Sequence, residues 1–267
     1  MNGGRTTERR TAWPFSRSPE LIADPIVHGL ALIVIASALF VALPGIDVWF
    51  SDLFYQPEKG FPIAGIDAFV WFRGIGDRLV LIGVVAMIVA IVVKLILPDR
   101  PTMLPPRHML LVFSTLVIAP GIIVNGIFKA NWGRPRPVAV DAFGGEFPFI
   151  PAWQISDYCA ANCSFVSGEA SSALWAVTLA LFFPPSWRTP VIAVLLVLAV
   201  ALSLNRIAFG GHFLSDVVLS WGMTLTVIAI VYRILYDHPP AALREGRLEQ
   251  ALTRSGVALG RRFRRAR

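Results

Sequence analysis

Six apolar runs, at roughly 26–44, 79–97, 108–128, 167–184, 190–205 and 216–236, divide this chain, and its polar positions gather between them. Each run approaches the ~20 residues that a helix needs to cross a hydrocarbon core of ~30 Å. The fourth is interrupted by small polar residues and the fifth is short, so their edges are the least sharply drawn. The pattern predicts an all-α polytopic membrane protein with six transmembrane helices. Composition agrees, with 55% hydrophobic residues, 15% charged residues and a mean hydropathy of +0.65, more apolar than a soluble domain requires. No internal repeat is evident. The organisation is a basic tail over 1–25, one membrane domain over 26–236, and a second basic tail over 237–267.

Lysine and arginine orient the spans. Seventeen of the 24 fall in four segments: the N-terminal tail (Arg5, Arg9, Arg10, Arg17), the loop near 98–107, the loop at 185–189, and the tail after the sixth run. Only Lys59, Arg73, Arg78, Lys129, Arg134, Arg136 and Arg206 lie on the other side. Positive charge collects in the cytoplasm, so both termini are expected there, with 45–78, 129–166 and 206–215 facing outward. Ala36-Ser37-Ala38 offers a signal-peptide cleavage site within the first run. The apolar stretch before it is short, and its loss would put the basic C-terminal tail outside, so the run is read as a span.

The formal net charge of +7 sits mostly in segments beside a bilayer, which argues against a nucleic-acid partner. From 244 onward, Leu248, Leu252, Leu259 and Phe263 share one helical face, with Arg247, Arg254, Arg261 and Arg265 opposite. That is the pattern of an interfacial helix for anionic lipid heads. Gly256 and Gly260 leave a disordered basic tail as an equal alternative. The two cysteines, Cys159 and Cys163, lie in the long outward loop, where a disulfide is expected. Their spacing, with no histidine nearby, gives too few ligands for a metal.

Three short clusters carry the candidate chemistry, all on the outward side. Lys129-Ala-Asn-Trp-Gly-Arg134-Pro-Arg136-Pro137 leaves the third run with three cations, and its prolines turn the chain so that Arg134 and Arg136 can bend back over the membrane. Taken alone it reads equally as an anion site or as head-group anchors. At 164–173, Ser167 can cap the fourth helix, Gly168 permits close approach, and Glu169 lies in a first turn whose free amides favour anions. Alone, that is an ordinary helix start. In Asn-Arg206-Ile-Ala-Phe-Gly-Gly-His212-Phe-Leu-Ser-Asp216, the histidine and aspartate share a helix face and can hydrogen-bond, the arrangement of an activated nucleophile. Together the clusters offer cations, amides, a nucleophile and an acid, the set that transfer of a phosphoryl group needs.

These residues resemble the type 2 phosphatidic acid phosphatase superfamily. Lys129, six residues, then Arg136-Pro137 match its first motif. Arg206, five residues, His212, three residues, then Asp216 match its third, with Asn205 in place of the serine. The second survives only as Val166-Ser167-Gly168-Glu169, where Glu169 stands for a histidine. The resemblance implies a metal-independent and cofactor-free membrane lipid phosphatase working through a phosphohistidine. His212 would be its nucleophile and Asp216 the partner, with Lys129, Arg136, Ser167, Gly168 and Arg206 on the phosphate. Arg134, not a fixed position of the motif, would be a supporting cation. Glu169 would take over as acid, or serve a leaving group needing little help, or mark a dead catalyst. Trp49, Phe50, Phe54 and Tyr55, followed by Gly60-Phe61-Pro62, resemble the corresponding region of lipid A phosphatase-like members. A lipid phosphate at the periplasmic face of a bacterial inner membrane is therefore expected: lipid A, then undecaprenyl diphosphate or phosphatidylglycerophosphate. A lipid phosphotransferase and a non-catalytic lipid-binding or transport protein are the alternatives.

Overall fold

The computed structural model describes residues 24–265, so Arg5, Arg9, Arg10 and Arg17 of the expected N-terminal tail lie outside the described residues. The regular elements among the described residues are all helices, with isolated bridges in place of strands. Among the described residues, five helices are long and apolar enough to cross a membrane: α1 (Pro25–Ala42), α3 (Asp67–Ile96), α4 (Pro106–Asn131), α6 (Pro185–Ala208) and α7 (Leu214–Asp237). The fourth predicted run forms a shorter apolar helix, α5 (Gly168–Phe182), enclosed by the others. Two further helices flank the bundle: α2 (Gly45–Asp52) after α1, and α8 (Glu245–Arg265) at the C-terminal end.

The largest departure from expectation is α3. The polar residues Arg73, Asp77 and Arg78 suggested a loop up to 78, yet the helix begins at Asp67. Backbone helicity tolerates charge where other helices receive it, and Arg73 and Asp77 line a cleft shared with α5 and α6. Lipid-facing positions remain apolar, as at Val34, Ile35, Leu81, Ile82, Val85, Val194 and Val197, all exposed in the isolated chain.

Small residues let the helices close on one another. A Cβ on Gly29 of α1 would come within 2.3 Å of Thr226 Oγ1, and one on Gly222 of α7 within 2.7 Å of Ile33 Cγ1. In hydrocarbon, where burial of apolar surface adds little between helices, such backbone approach supplies the packing. In α4, Pro120 cannot donate to the preceding turn, and the turns from Val117 to Phe128 widen. Asn125 Nδ2 donates to the Pro120 carbonyl at 2.6 Å, restoring a bond there.

Of the two readings of the C-terminal segment, the helix is the one observed. Lys94, buried near the end of α3, donates to the carbonyls of Pro98 and Arg100 and pairs with Glu249 of α8 at 2.6 Å. Glu249 also accepts from the Thr102 hydroxyl at 2.6 Å. Gly256 does not break this helix; it is buried where a Cβ would sit 2.8 Å from the Leu95 carbonyl oxygen.

Candidate active site

The loops at the opposite end of the bundle from α8 gather the three clusters. Lys129 closes α4, Arg136 follows in extended chain, Glu169 occupies the first turn of α5, Arg206 the last turn of α6, and His212 the link into α7. Lys129, Arg136 and Arg206 lie near enough to act on one another electrostatically. Asn162 holds the first two: Lys129 Nζ donates to its side-chain oxygen and Arg136 Nη2 to its carbonyl, both at 2.9 Å. Cys159 and Cys163 are joined in a disulfide that brackets this asparagine, with their Cα atoms 5.7 Å apart.

His212 is fully buried. Its Nδ1 lies 2.8 Å from the Ser164 carbonyl, which fixes the proton on Nδ1 and leaves the Nε2 lone pair free. Nε2 has no hydrogen-bond partner, although it is buried. It faces Glu169 Oε2 at 3.9 Å. Burial holds the imidazole below the ordinary value of 6.5; the negative charge of nearby Asp216 opposes that shift, and the charges of Arg206 and Lys129 reinforce it. The ring is therefore neutral at physiological pH, with the Nε2 lone pair available.

Asp216 stands near the ring in a different way from the expected direct hydrogen bond. Its Oδ2 is 3.8 Å from Nδ1, beyond bonding distance. The same oxygen instead accepts from the Ser164 hydroxyl at 2.6 Å and from the Phe213 amide at 2.9 Å. Asp216 thus fixes the serine whose carbonyl orients the histidine, and caps the start of α7.

Arg134 turns away from the site. Fully buried, it donates through Nε to the Ile150 carbonyl at 2.7 Å, through Nη1 to Asp216 Oδ1 at 2.6 Å and Ser215 Oγ at 2.9 Å, and through Nη2 to Asp47 Oδ2 at 2.8 Å. Its guanidinium lies 4.4 Å from the Phe213 ring centroid. Burial alone would weaken its hold on the proton, but Asp216 and Asp47 outweigh burial and raise it. Arg134 is thus a structural cation joining α2, the 145–152 segment and α7, with every donor group engaged and none left for a phosphate.

Glu169 meets two arginines. Oε1 accepts from Arg73 Nε of α3 at 2.8 Å, and Oε2 pairs with Arg206 Nε. The Arg206 guanidinium lies over Gly211, where a Cβ would come within 2.5 Å of Nη2. A shallow cleft beside the carboxylate is lined by Arg73, Gly76, Asp77, Glu169, Ser172, Leu202 and Arg206. Ser167 caps α5 by accepting from the Ala170 amide at 3.2 Å, while its own amide donates to the Asp216 carbonyl. Gly168 is buried against Asn125.

Four residues of this arrangement were not singled out in the sequence. Asp47 and Arg73 carry a discoverable signal, an ionisable residue within an otherwise apolar segment. Asn162 and Ser164 carry none, because one works partly and the other chiefly through a backbone carbonyl. Trp49 faces outward as an interfacial aromatic would, whereas Tyr55 packs inward, its ring centroid 5.6 Å from Phe61 and 5.2 Å from Phe143.

Comparison with known proteins identifies the family. The PAP2 superfamily profile matches residues 107–240, the stretch that holds all three motifs. A lipid A 4'-phosphatase of Rhizobium leguminosarum is 38% identical over 206 residues, covering 72% of this chain and 88% of the relative. Another of that name, from Rhizobium etli, is 38% identical over 207 residues, 72% of this chain and 80% of the relative. A third, from Francisella tularensis subsp. novicida, is 33% identical over 215 residues, 79% of this chain and 96% of the relative. No solved structure matches the chain. The profile match over residues 107–240, with three relatives at 33–38% identity, shows the chain to be a membrane phosphatase belonging to the PAP2 superfamily.

Proposed function

We propose that the protein removes a phosphate ester from lipid A or a closely similar lipid, at the periplasmic face of a bacterial inner membrane, by way of a phosphohistidine. The observation that carries this is His212: a fully buried imidazole whose Nδ1 is committed to Ser164 and whose Nε2 has no partner. Most buried side-chain nitrogens of folded proteins have a hydrogen-bond partner, and the unpartnered one of His212 sits among the motif cations. An unpaired lone pair beside Lys129, Arg136 and Arg206 suits in-line attack on a phosphorus whose oxygens those cations hold. The lipid A assignment rests on the names of the three relatives. The outward orientation rests on the bias of lysine and arginine toward the other side, with six spans counting α5 and both termini cytoplasmic.

Glu169 is the group at hand for protonating the leaving oxygen, since it lies nearest to His212 Nε2 from α5. The substrate's acyl chains remain in the bilayer while its phosphate reaches the bundle end. On the opposite side, α8 rests against α3 and turns Arg247, Arg254, Arg261 and Arg262 to the exterior, where anionic lipid heads lie. The side chains of Phe263 and Arg265, part of the same expected pattern, are outside the described set.

The purified protein, incubated with lipid A in EDTA, is expected to release inorganic phosphate and leave the dephosphorylated lipid. His212→Ala abolishes release while lipid A still binds. Phosphate release that persists in His212→Ala would overturn the reading.

A further inference from the structure

In the resting protein the phosphate site is already occupied by the protein's own carboxylate. Oε2 of Glu169 engages Arg206 and faces His212 Nε2 at 3.9 Å, so it fills the space in front of the nucleophile where a phosphorus must come. Oε1 faces the other way, to Arg73 at 2.8 Å, beside the cleft lined by Asp77 and Ser172. Arg206 is almost wholly buried, and it is shared: the guanidinium that now binds Glu169 is the one a phosphate requires. A carboxylate bound by two guanidinium groups has no proton to donate, yet an alkyl leaving group needs one.

These facts are reconciled if the carboxylate moves. We propose that Glu169 is a latch: the incoming phosphate dianion takes Arg206 from it, Glu169 withdraws toward Arg73 and the cleft, and it gains a proton from solvent as it loses one of its two cations to the dianion. The inference rests on the phosphatase reading and gives the departure from histidine a chemical purpose. Withdrawal along the line from Oε2 to Oε1 carries the carboxyl group to the side of the phosphorus away from Nε2, where the leaving oxygen departs. The steps balance. Nε2 bonds to phosphorus as the P–O ester bond breaks, and Glu169 gives its proton to the lipid oxygen. Water then attacks the phosphohistidine, one of its protons returns to Glu169, and hydrogen phosphate leaves with His212 neutral again. Arg73 is a positioning residue that keeps hold of the carboxyl group throughout.

Tungstate, a tetrahedral dianion that takes up no proton near neutrality, is the probe. Its binding to the full-length protein in detergent is measured by calorimetry between pH 7 and 8.5. Wild type is expected to take up about one proton per tungstate bound, so that affinity rises about tenfold for each unit of falling pH. Glu169→Gln should take up none, and with the internal competitor weakened it should bind tungstate about tenfold more tightly. Glu169→Ala provides the same comparison if the glutamine variant is poorly folded. Binding to wild type without proton uptake, equal uptake in wild type and variant (a proton on His212 instead), or weaker binding by the variants overturns the latch while leaving the phosphatase reading intact. No tungstate bound by any chain, together with no phosphate released from lipid A by wild type, overturns both.

Discussion

His212 and Arg134 show how differently two buried bases of one small region can be used. The histidine is kept neutral and half-unpaired, and burial sets its proton affinity below that of an ordinary imidazole. The proposed attack by Nε2 requires that nitrogen unprotonated, so the acid limb of kcat/KM should fall only below the usual histidine range, with activity largely retained at pH 6.5. A pH profile of phosphate release with an acid limb centred above that value would contradict the burial argument. Arg134, by contrast, has every donor group engaged. Truncation to Ala leaves Asp47 and Asp216 buried without their cation, and loss of one partner of a buried pair costs about 3–5 kcal/mol. Arg134→Ala is therefore expected to fail in thermal unfolding, with loss of folded protein rather than a change of KM. Arg73→Gln belongs with the site: it should lower kcat about tenfold with KM nearly unchanged, because Arg73 holds Glu169 and not the substrate. A pure KM effect would instead make Arg73 a phosphate ligand.

At the scale of helices, close approach is the principle that recurs. Gly29 and Gly222 face the partner helix with no room for a side chain. Gly222→Leu should force α1 and α7 apart, an overpacking cost of about 1–3 kcal/mol, visible as a lower unfolding temperature in detergent. Docking of α8 depends more on charge. Glu249→Ala removes the carboxylate partner of buried Lys94 and is expected to free α8, so that trypsin cuts at Arg254 in the variant before it cuts the wild type. These elements were unequally legible in the sequence. Runs of apolar residues marked all five long spans to within a few residues at most of their ends, because hydrocarbon length constrains them directly. The start of α3 was hidden because Arg73 and Asp77 look like loop residues until α5 and α6 are seen to receive them. The fate of 244–267 was undecided because Gly256 weakens an isolated helix, and only contact with Leu95 turns that glycine into a docking point.

For the whole molecule, two spaced motifs announced the family from Lys129, Arg136, Arg206, His212 and Asp216, since those spacings survive folding as one cluster at the bundle end. The wiring behind them was not legible. The sequence suggested that Asp216 would grip His212, but a serine carbonyl supplies that grip, and backbone groups leave no trace in residue identity. The covalent loop at 159–163 has a consequence for how the enzyme comes into being. It encircles Asn162, the residue on which Lys129 and Arg136 both rest, so two of the three cations are aligned through a bond that forms only under oxidising conditions. Newly made chains would reach the membrane with a slack cradle and tighten it only after that loop has been oxidised, and mild reductant applied to the finished protein should raise KM for the lipid phosphate without unfolding the bundle.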